Sequence, residues 1–221
     1  VKIFCLLLFC YWEHCNSIVT SLIMNGLPTS AEEFLDGQIL LIDKPLGWTS
    51  FDVVKKVKNL IRTKYSLKKI KVAHAGTLDP LATGLLIVCT GKFTKRISEI
   101  QGQEKIYTGA ITLGGTTPSY DLETEIDATF ETQHITRQLI QEATSQFIGE
   151  IDQKPPIFSA LKRGGERLYK KARRGEKIEI ESRKVNVHTF DITTIEMPKV
   201  SFEIRCSKGT YIRTIAHDFG A

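Results

Sequence analysis

Apolar residues along this chain recur at two spacings, one typical of β-strands and the other of α-helices. Alternate positions share one face of a strand, and Val200, Phe202, Ile204 and Cys206 give the clearest example of that spacing. Apolar residues at every third or fourth position are typical of a helix, and Ser50 can cap one such segment. Strands are predicted at residues 37–43, 85–90, 106–113, 184–192 and 200–206. Helices are predicted at residues 50–61, 135–147 and 166–174, and again from Tyr211 onward.

The order of these elements indicates the fold class. Strands and helices are intermixed without a regular strand–helix–strand alternation, and several predicted strands are adjacent in sequence. We therefore predict an α+β fold in which helices flank a mixed, largely antiparallel sheet. The last predicted helix opens only shortly before the final residue, Ala221, so we expect a C-terminus that is truncated.

The first 36 residues differ from the rest of the chain. Residues 3–12 form an apolar run behind one lysine, too short to cross a bilayer, which takes about 20 residues. No small-x-small cleavage site follows the run, and the first methionine is Met24. We therefore predict that residues 1–36 are a non-native or disordered leader and that the natural protein starts at Met24. A genuine signal or membrane anchor is the alternative.

Charge and cysteines set the body apart from that leader. The formal net charge of +5 combines one base and four acids in residues 1–36 with 29 bases and 21 acids in residues 37–221. Such a basic body indicates an anionic partner. Three of the five cysteines lie in the leader, whereas Cys89 and Cys206 have the surroundings of buried small apolar residues. Two isolated cysteines predict no disulfide framework and favour a reduced, cytoplasmic protein.

Motifs for nucleotide or metal binding are missing from the sequence. Gly84 and Gly91 are too far apart for a phosphate-binding loop, and no Gly-x-Gly-x-x-Gly follows a predicted strand. The five histidines are scattered without the spacing of metal ligands, so we predict no metal site.

One segment combines reactive side chains with small residues. Residues 72–86 hold His74 and Asp79 among alanines, threonines and glycines, directly before a predicted buried strand. Pro80 disfavours a helical backbone at Asp79, so that carboxylate belongs to a shaped loop. Loops held by buried strands commonly carry functional residues. Composition and spacing alone nevertheless favour the simpler alternative, a turn in which Asp79 caps a backbone group.

Six blocks of sequence resemble one enzyme family in the expected order. Residues 74–86, HAGTLDPLATGLL, resemble the catalytic signature of the TruB family of tRNA pseudouridine synthases. The other blocks lie at residues 43–50, 105–107, 153–162, 165–175 and 207–213. The resemblance spans residues 37–221, and it implies a pseudouridine-synthase-like fold with a catalytic domain over that range.

The resemblance also implies a catalytic role for three residues. It makes Asp79 the nucleophile, places Tyr107 in a stack on the target base, and pairs Arg213 with the Asp79 carboxylate. A guanidinium can hold a carboxylate through two hydrogen bonds and keep it ionised. Two alternatives stay open, since Tyr107 shares a strand face with Ile111 and Leu113 and could be core, and Arg213 could contact phosphate. Whether Asp79 attacks ribose C1′ or uracil C6, or assists a glycal route, also stays open.

Substrate binding is implied for a second group of residues. His74 resembles the family residue that fills the space left by a flipped base, although a buried, hydrogen-bonded histidine is the alternative. Tyr211 is expected to help line the pocket. Phosphate contacts are expected from three basic side chains: Lys44, Lys162 and Arg173.

The activity implied by the resemblance is the isomerisation of uridine 55, in the T-loop of tRNA, to pseudouridine. The reaction breaks the N1–C1′ bond of uridine and rejoins the base through C5, with no atom added or removed. It therefore implies neither a metal nor another cofactor. We expect a monomer that binds the T-stem-loop and no membrane. A catalytically inactive RNA-binding or tRNA-folding module and a paralogue that modifies other RNA stay open, as does a PUA-like extension beyond Ala221.

Overall fold

The computed structural model of the chain describes residues 9–11, 28–176 and 178–221. Most of the predicted leader, including the proposed start at Met24, therefore lies outside the described residues. The described residues belong to two compact units, one that ends at Ile106 and one that runs from Tyr107 to Ala221. Antiparallel strand pairs form a sheet in each of them.

The first unit is built around strand β4. Its elements in chain order are β1 (Phe9–Tyr11), α1 (Ala31–Asp36), β2 (Ile39–Lys44), α2 (Ser50–Lys64), β3 (Val72–His74), β4 (Gly84–Thr90), a 3-10 helix (Gly91–Arg96) and α3 (Ile97–Gln101). Strand β4 is central, with β2 antiparallel on one side and β3 antiparallel on the other. Every residue of β4 except Leu85 is buried, so both faces of the strand are covered, which explains why it is apolar at almost every position.

Helix α1 is part of this unit, although its residues fall within the predicted leader. Phe34 is buried in an apolar cluster with Ile61 and Ile70. The Thr90 hydroxyl donates a hydrogen bond to the Phe34 carbonyl oxygen at 2.8 Å, so the helix backbone is also tied to β4. Residues of α1 therefore pack into the apolar core of this unit ahead of the predicted boundary at residue 37.

The N-cap of helix α2 lies one residue earlier than predicted. Thr49 is the N-cap, and its hydroxyl accepts a hydrogen bond from the Asp52 N–H at 3.1 Å. The Asp52 carboxylate accepts in turn from the Thr49 N–H at 3.0 Å, which completes a capping box. Ser50, predicted as the cap, is instead the first residue of the helix, and its side chain is buried.

The second unit follows from β5, which begins at the end of the first. Its elements are β5 (Lys105–Thr112), β6 (Gly115–Thr116), β7 (Ala128–Thr129), α4 (Arg137–Thr144), a 3-10 turn (Ser145–Phe147), β8 (Gly149–Gln153), β9 (Lys162–Arg163), β10 (Glu166–Arg167), α5 (Leu168–Arg173), β11 (Arg183–Glu196), β12 (Lys199–Cys206) and α6 (Ile212–Phe219). Its main sheet has the order β5-β12-β11-β8, and β11 pairs antiparallel with both neighbours. The prediction of an α+β fold with a largely antiparallel sheet is confirmed.

The alternating pattern of β12 has the predicted consequence for packing. Val200, Phe202, Ile204 and Cys206 are all buried, while the intervening residues are half-buried. Cys89 in the first unit is buried as well, and burial raises the pKa of its thiol to about 11. A thiol that stays protonated is a poor nucleophile, so Cys89 serves as a small apolar core residue.

We predict that Phe34→Ala lowers the free energy of unfolding by about 3 kcal/mol, because it leaves a cavity in the cluster formed with Ile61 and Ile70. Chemical denaturation measures the change. Leu35→Ala is the matched control on the same helix, since Leu35 is 39% exposed, and it should have a much smaller effect. Equal effects of the two substitutions would mean that α1 is not anchored through Phe34.

Candidate active site

Asp79 lies on the loop between β3 and β4, residues 75–83, which we call the Asp79 loop. Leu78 and Ala82 anchor this loop, with exposed fractions of 7% and 2%. The Ala82 N–H donates a hydrogen bond to the Asp79 carbonyl oxygen at 3.0 Å. Asp79 itself is half-buried. A carboxylate is therefore held between two buried side chains on a loop of defined shape.

The turn between β2 and α2, residues 45–49, contacts the Asp79 loop through its backbone. The Gly47 N–H donates to the Pro80 carbonyl oxygen at 2.8 Å. Gly47 has a φ of 80°, a conformation that glycine adopts without strain. The residue directly after Asp79 is thereby fixed to the neighbouring turn.

Lys44, the last residue of β2, is fully buried behind this turn. Its ammonium donates to the carbonyl oxygens of Trp48 at 2.6 Å, Pro45 at 3.0 Å and Pro80 at 3.4 Å. Burial lowers the pKa of Lys44 below its usual value, and the negative charge of Asp79 acts in the opposite direction. The predicted phosphate contact of Lys44 is wrong, because the side chain has no exposed surface. Lys44 is instead a buried cation beside the Asp79 loop.

His74 is the last residue of β3, directly before the Asp79 loop. It lies opposite Val88 of β4 in the strand register and is half-buried. The strand pairing fixes its backbone relative to the start of the loop. Its predicted place in the space left by a flipped base stays a prediction.

Arg213 and Asp121 form a buried ion pair in the second unit. Nη1 of Arg213 lies 3.3 Å from Oδ2 of Asp121, and the two side chains are 4% and 3% exposed. Nη1 also donates to the Ser119 carbonyl oxygen at 2.9 Å, and Nη2 donates to the Phe158 carbonyl oxygen at 3.0 Å. Two backbone carbonyls and one carboxylate thus hold the guanidinium in place. The predicted pairing of Arg213 with Asp79 joins residues of different units and stays a prediction.

Nothing in the sequence around Asp121 predicts that it is buried or that it pairs with Arg213. It lies in a polar stretch between β6 and β7, and its neighbours give no periodicity that predicts burial. Among the features of the chain, only the resemblance of Arg213 to a family residue points to a buried carboxylate partner, and that resemblance assigned the role to Asp79.

Tyr107 and Tyr211 have different surroundings within the second unit. Tyr107 is half-buried in β5, whereas Ile111 on the same strand is fully buried. Tyr211 precedes α6, and its N–H and carbonyl group both bond the side chain of buried Gln153, at 2.7 and 3.0 Å. The guanidinium of Arg183 lies 4.8 Å from the centre of the Tyr211 ring. Gln153 is thus a positioning residue for Tyr211, a role that the resemblance of the block at residues 153–162 did not assign to it.

Lys162 and Arg173 both lie on the surface of the second unit. Lys162 is exposed in the short hairpin formed by β9 and β10. Arg173 ends α5, pairs with Glu123 at 3.2 Å, and lies 5.5 Å from the centre of the Tyr169 ring. Their predicted phosphate contacts stay predictions, and the ion pair with Glu123 means that the charge of Arg173 is partly compensated.

Two searches across the described residues bear on cofactors and membranes. Within residues 9–11, 28–176 and 178–221, no group of histidine, cysteine, aspartate and glutamate side chains is arranged to hold a metal ion. In the same part of the chain, every helix is too short or too polar to cross a membrane.

Comparison with known proteins identifies relatives over most of the chain. The model of a family described as TruB family pseudouridylate synthase (N terminal domain) matches residues 62–212. The tRNA pseudouridine synthase B of Flavobacterium johnsoniae is 65% identical over 190 residues, which are 86% of this chain and 83% of that protein. The protein of the same name from Phocaeicola vulgatus is 52% identical over 187 residues, 85% of this chain and 80% of the relative.

A solved structure of a Cbf5-Nop10-Gar1 complex contains a similar fold. The similarity has a TM-score of 0.62 at 27% sequence identity and covers 87% of this chain. This chain spans 46% of the length of the matched protein. Fold and relatives together define an RNA pseudouridine synthase, an isomerase. Within that class, the chain belongs to the TruB family of pseudouridylate synthases.

We predict that Asp121→Asn lowers the free energy of unfolding by about 3 kcal/mol, because it removes a buried negative partner from the Arg213 guanidinium. Urea denaturation measures the loss. Glu166→Gln is the matched control, since it removes the negative partner from an ion pair with Arg174 whose side chains are 50% and 36% exposed, and it should cost no more than about 1 kcal/mol. If Asp121→Asn has the same free energy of unfolding as the unaltered chain, the backbone carbonyls alone hold the guanidinium.

Proposed function

We propose that this chain converts uridine 55 in the T-loop of tRNA to pseudouridine. The observation that carries the proposal is the 65% identity to a tRNA pseudouridine synthase B over 83% of that relative. An alignment of 190 residues in a chain of 221 must include the Asp79 loop and much of both units, so it supports a shared substrate as well as a shared fold. A tRNA substrate also supports the expected cytoplasmic location.

We assign the nucleophile to Asp79. Cleavage of the N1–C1′ bond either leaves positive charge at C1′ of the ribose or follows addition of a nucleophile to uracil C6. One carboxylate can serve in either route. After the base rejoins through C5, the C5 proton is lost and N1 gains a proton, so the atoms balance without a co-reactant. Glycosidases that hydrolyse usually need two carboxylates that flank the bond. A single carboxylate on an ordered loop therefore supports a rearrangement.

Base flipping is part of the same proposal. A uridine within folded RNA must leave its stack before a side chain can reach C1′. We assign stacking on the flipped base to Tyr107, whose half-buried ring suits a binding role better than a core role. Tyr211 is held by Gln153 on both sides of its backbone, which suits a fixed wall of the pocket. His74 is assigned the space that the base vacates.

The basic surface of the second unit supports RNA binding. The lysine and arginine residues of the segment 162–174 lie on the β9–β10 hairpin and on or next to α5, and most of them are exposed. Clustered lysine and arginine side chains attract the phosphate backbone irrespective of sequence. Folded RNA is recognised mainly through contacts to its phosphates and through loop bases that are splayed out of their stacks.

Two alternatives to this proposal give different experimental results. A catalytically inactive RNA-binding or tRNA-folding module would bind tRNA and release no tritium from uracil C5. A paralogue that modifies other RNA would act on a different substrate, and the 27% identity to the protein in the Cbf5-Nop10-Gar1 complex gives this reading less support than the tRNA reading has.

We predict that the chain releases tritium from a tRNA transcript labelled at C5 of uridine 55, and that Asp79→Asn abolishes the release. An amide is neither a nucleophile nor an anion at neutral pH, so the expected loss is about 1,000-fold or more. Asp191→Asn, which changes an exposed carboxylate on β11, is the matched control and should be fully active. Binding without release by the unaltered chain would support the inactive module instead.

We predict that Lys170→Ala with Lys171→Ala weakens tRNA binding and flattens its dependence on salt. Every phosphate that a lysine no longer neutralises should reduce the slope of log K against log salt concentration by about 0.7 to 0.9. Filter binding at several salt concentrations measures the slope. Lys184→Ala is the control, because Lys184 is already paired with Glu150. An unchanged slope in the double variant would exclude α5 from the RNA interface.

A further inference from the structure

We propose that Ser50 is a positioning residue for the Asp79 carboxylate. The Ser50 hydroxyl accepts a hydrogen bond from the Leu78 N–H at 2.9 Å and donates one to the Leu78 carbonyl oxygen at 3.0 Å. Ser50 is 3% exposed and Leu78 is 7% exposed, so water does not compete for these bonds. The inference rests on the proposed role of Asp79 as the nucleophile.

The two bonds fix the backbone where Asp79 begins. The Leu78 carbonyl group and the Asp79 nitrogen belong to one rigid peptide plane. A hydrogen bond to that carbonyl therefore fixes the orientation of the backbone at Asp79. The Leu78 N–H fixes the preceding plane in the same way. Ser50 therefore holds both peptide planes that lead into the catalytic residue.

The backbone after Asp79 is fixed independently. The Asp79 carbonyl oxygen accepts from the Ala82 N–H, and the Pro80 carbonyl oxygen accepts from the Gly47 N–H. The ring of Pro80 also restricts its own φ. With both flanks held, the remaining freedom of Asp79 is mainly rotation of its side chain. A reacting group loses rate steeply when it is displaced by about 1 Å, so this restraint matters for catalysis.

Ser50 can act in this way because its own position is rigid. It is the first residue of α2, a helix of 15 residues, and the capping box between Thr49 and Asp52 closes that end of the helix. The Ser50 backbone therefore moves only with the helix. The hydroxyl connects a rigid element to a loop that contains neither helix nor strand over residues 75–83.

Thr90 provides a matched comparison within the same unit. Its hydroxyl is also buried, donates to the Phe34 carbonyl oxygen at 2.8 Å and accepts from the Gln38 N–H at 3.0 Å. Both hydroxyls thus bridge one backbone donor and one backbone acceptor. None of these bonds of Thr90 involves the Asp79 loop, so loss of its hydroxyl should affect stability without affecting the nucleophile.

The experiment compares Ser50→Ala, Thr90→Val and Asp79→Asn in the full chain. Thermal unfolding and steady-state tritium release from labelled tRNA are measured for each variant. We expect similar decreases in Tm for Ser50→Ala and Thr90→Val. We expect kcat of Ser50→Ala to fall about 10-fold or more with KM nearly unchanged, because substrate binding is intact and the nucleophile is misplaced. Thr90→Val should keep both parameters within about twofold of the unaltered chain.

Three outcomes would overturn the inference. Unchanged kcat in Ser50→Ala, with Asp79→Asn inactive, would reject the role of Ser50 and leave the proposed function standing. An equal fall of kcat in Thr90→Val would make the effect one of general stability. Full activity of Asp79→Asn would reject the assignment of the nucleophile, and the positioning role would fall with it. If Ser50→Ala does not fold, Ser50→Cys replaces it, since a thiol fills the site of the hydroxyl with a somewhat larger atom and forms only weak hydrogen bonds; unchanged kcat there would again reject the role.

Discussion

The hydrogen bonds between the Asp79 loop and the segment from Lys44 to Ser50 depend on one strand register. Strand β2 ends at Lys44, opposite Gly84, where β4 begins. The chain that leaves β2 and the chain that enters β4 therefore emerge at the same end of the sheet. A slip of one residue would turn every side chain of β2 to the other face, and Lys44 would lose its carbonyl partners. The apolar residues of β4, buried on both faces, and those of β2, most of them half-buried, hold the register that the loop requires.

Lys44 can be buried at the end of β2 only because its ammonium group is hydrogen-bonded. An ammonium without water is strongly unfavourable unless its donors are satisfied, and here three carbonyl oxygens satisfy them. The carbonyl of Pro80 belongs to the Asp79 loop, so the requirement to satisfy the ammonium also holds the loop against the turn. The negative charge of Asp79 acts on the same ammonium and raises its pKa, against the lowering effect of burial. The position of the Asp79 loop and the stability of the unit therefore both depend on one buried cation.

Periodicity and composition predicted the parts of this protein that depend on local sequence. The apolar run of β4, the alternation in β12 and the α+β class could be read directly, because a buried strand leaves its pattern in adjacent residues. The partners of buried polar groups could not. Lys44 bonds Pro80 across 36 positions, Gln153 bonds Tyr211 across 58, and Arg213 bonds Ser119 across 94. Contacts of that separation impose no repeat on the residues around them, so resemblance to a family was needed to locate the site.

Lys44 in the first unit and Arg213 in the second use the same physical device. Each is a buried cation that donates hydrogen bonds to backbone carbonyl oxygens. Each also interacts electrostatically with a carboxylate, Lys44 with Asp79 and Arg213 with Asp121. Buried ion pairs add little to stability compared with well-packed apolar residues, so stability alone is a weak reason to keep them. Their field acts strongly, however, because no water screens it. A cation fixed by the backbone keeps its position when the charge of its surroundings changes, which is the general requirement for charged groups that stabilise a developing charge.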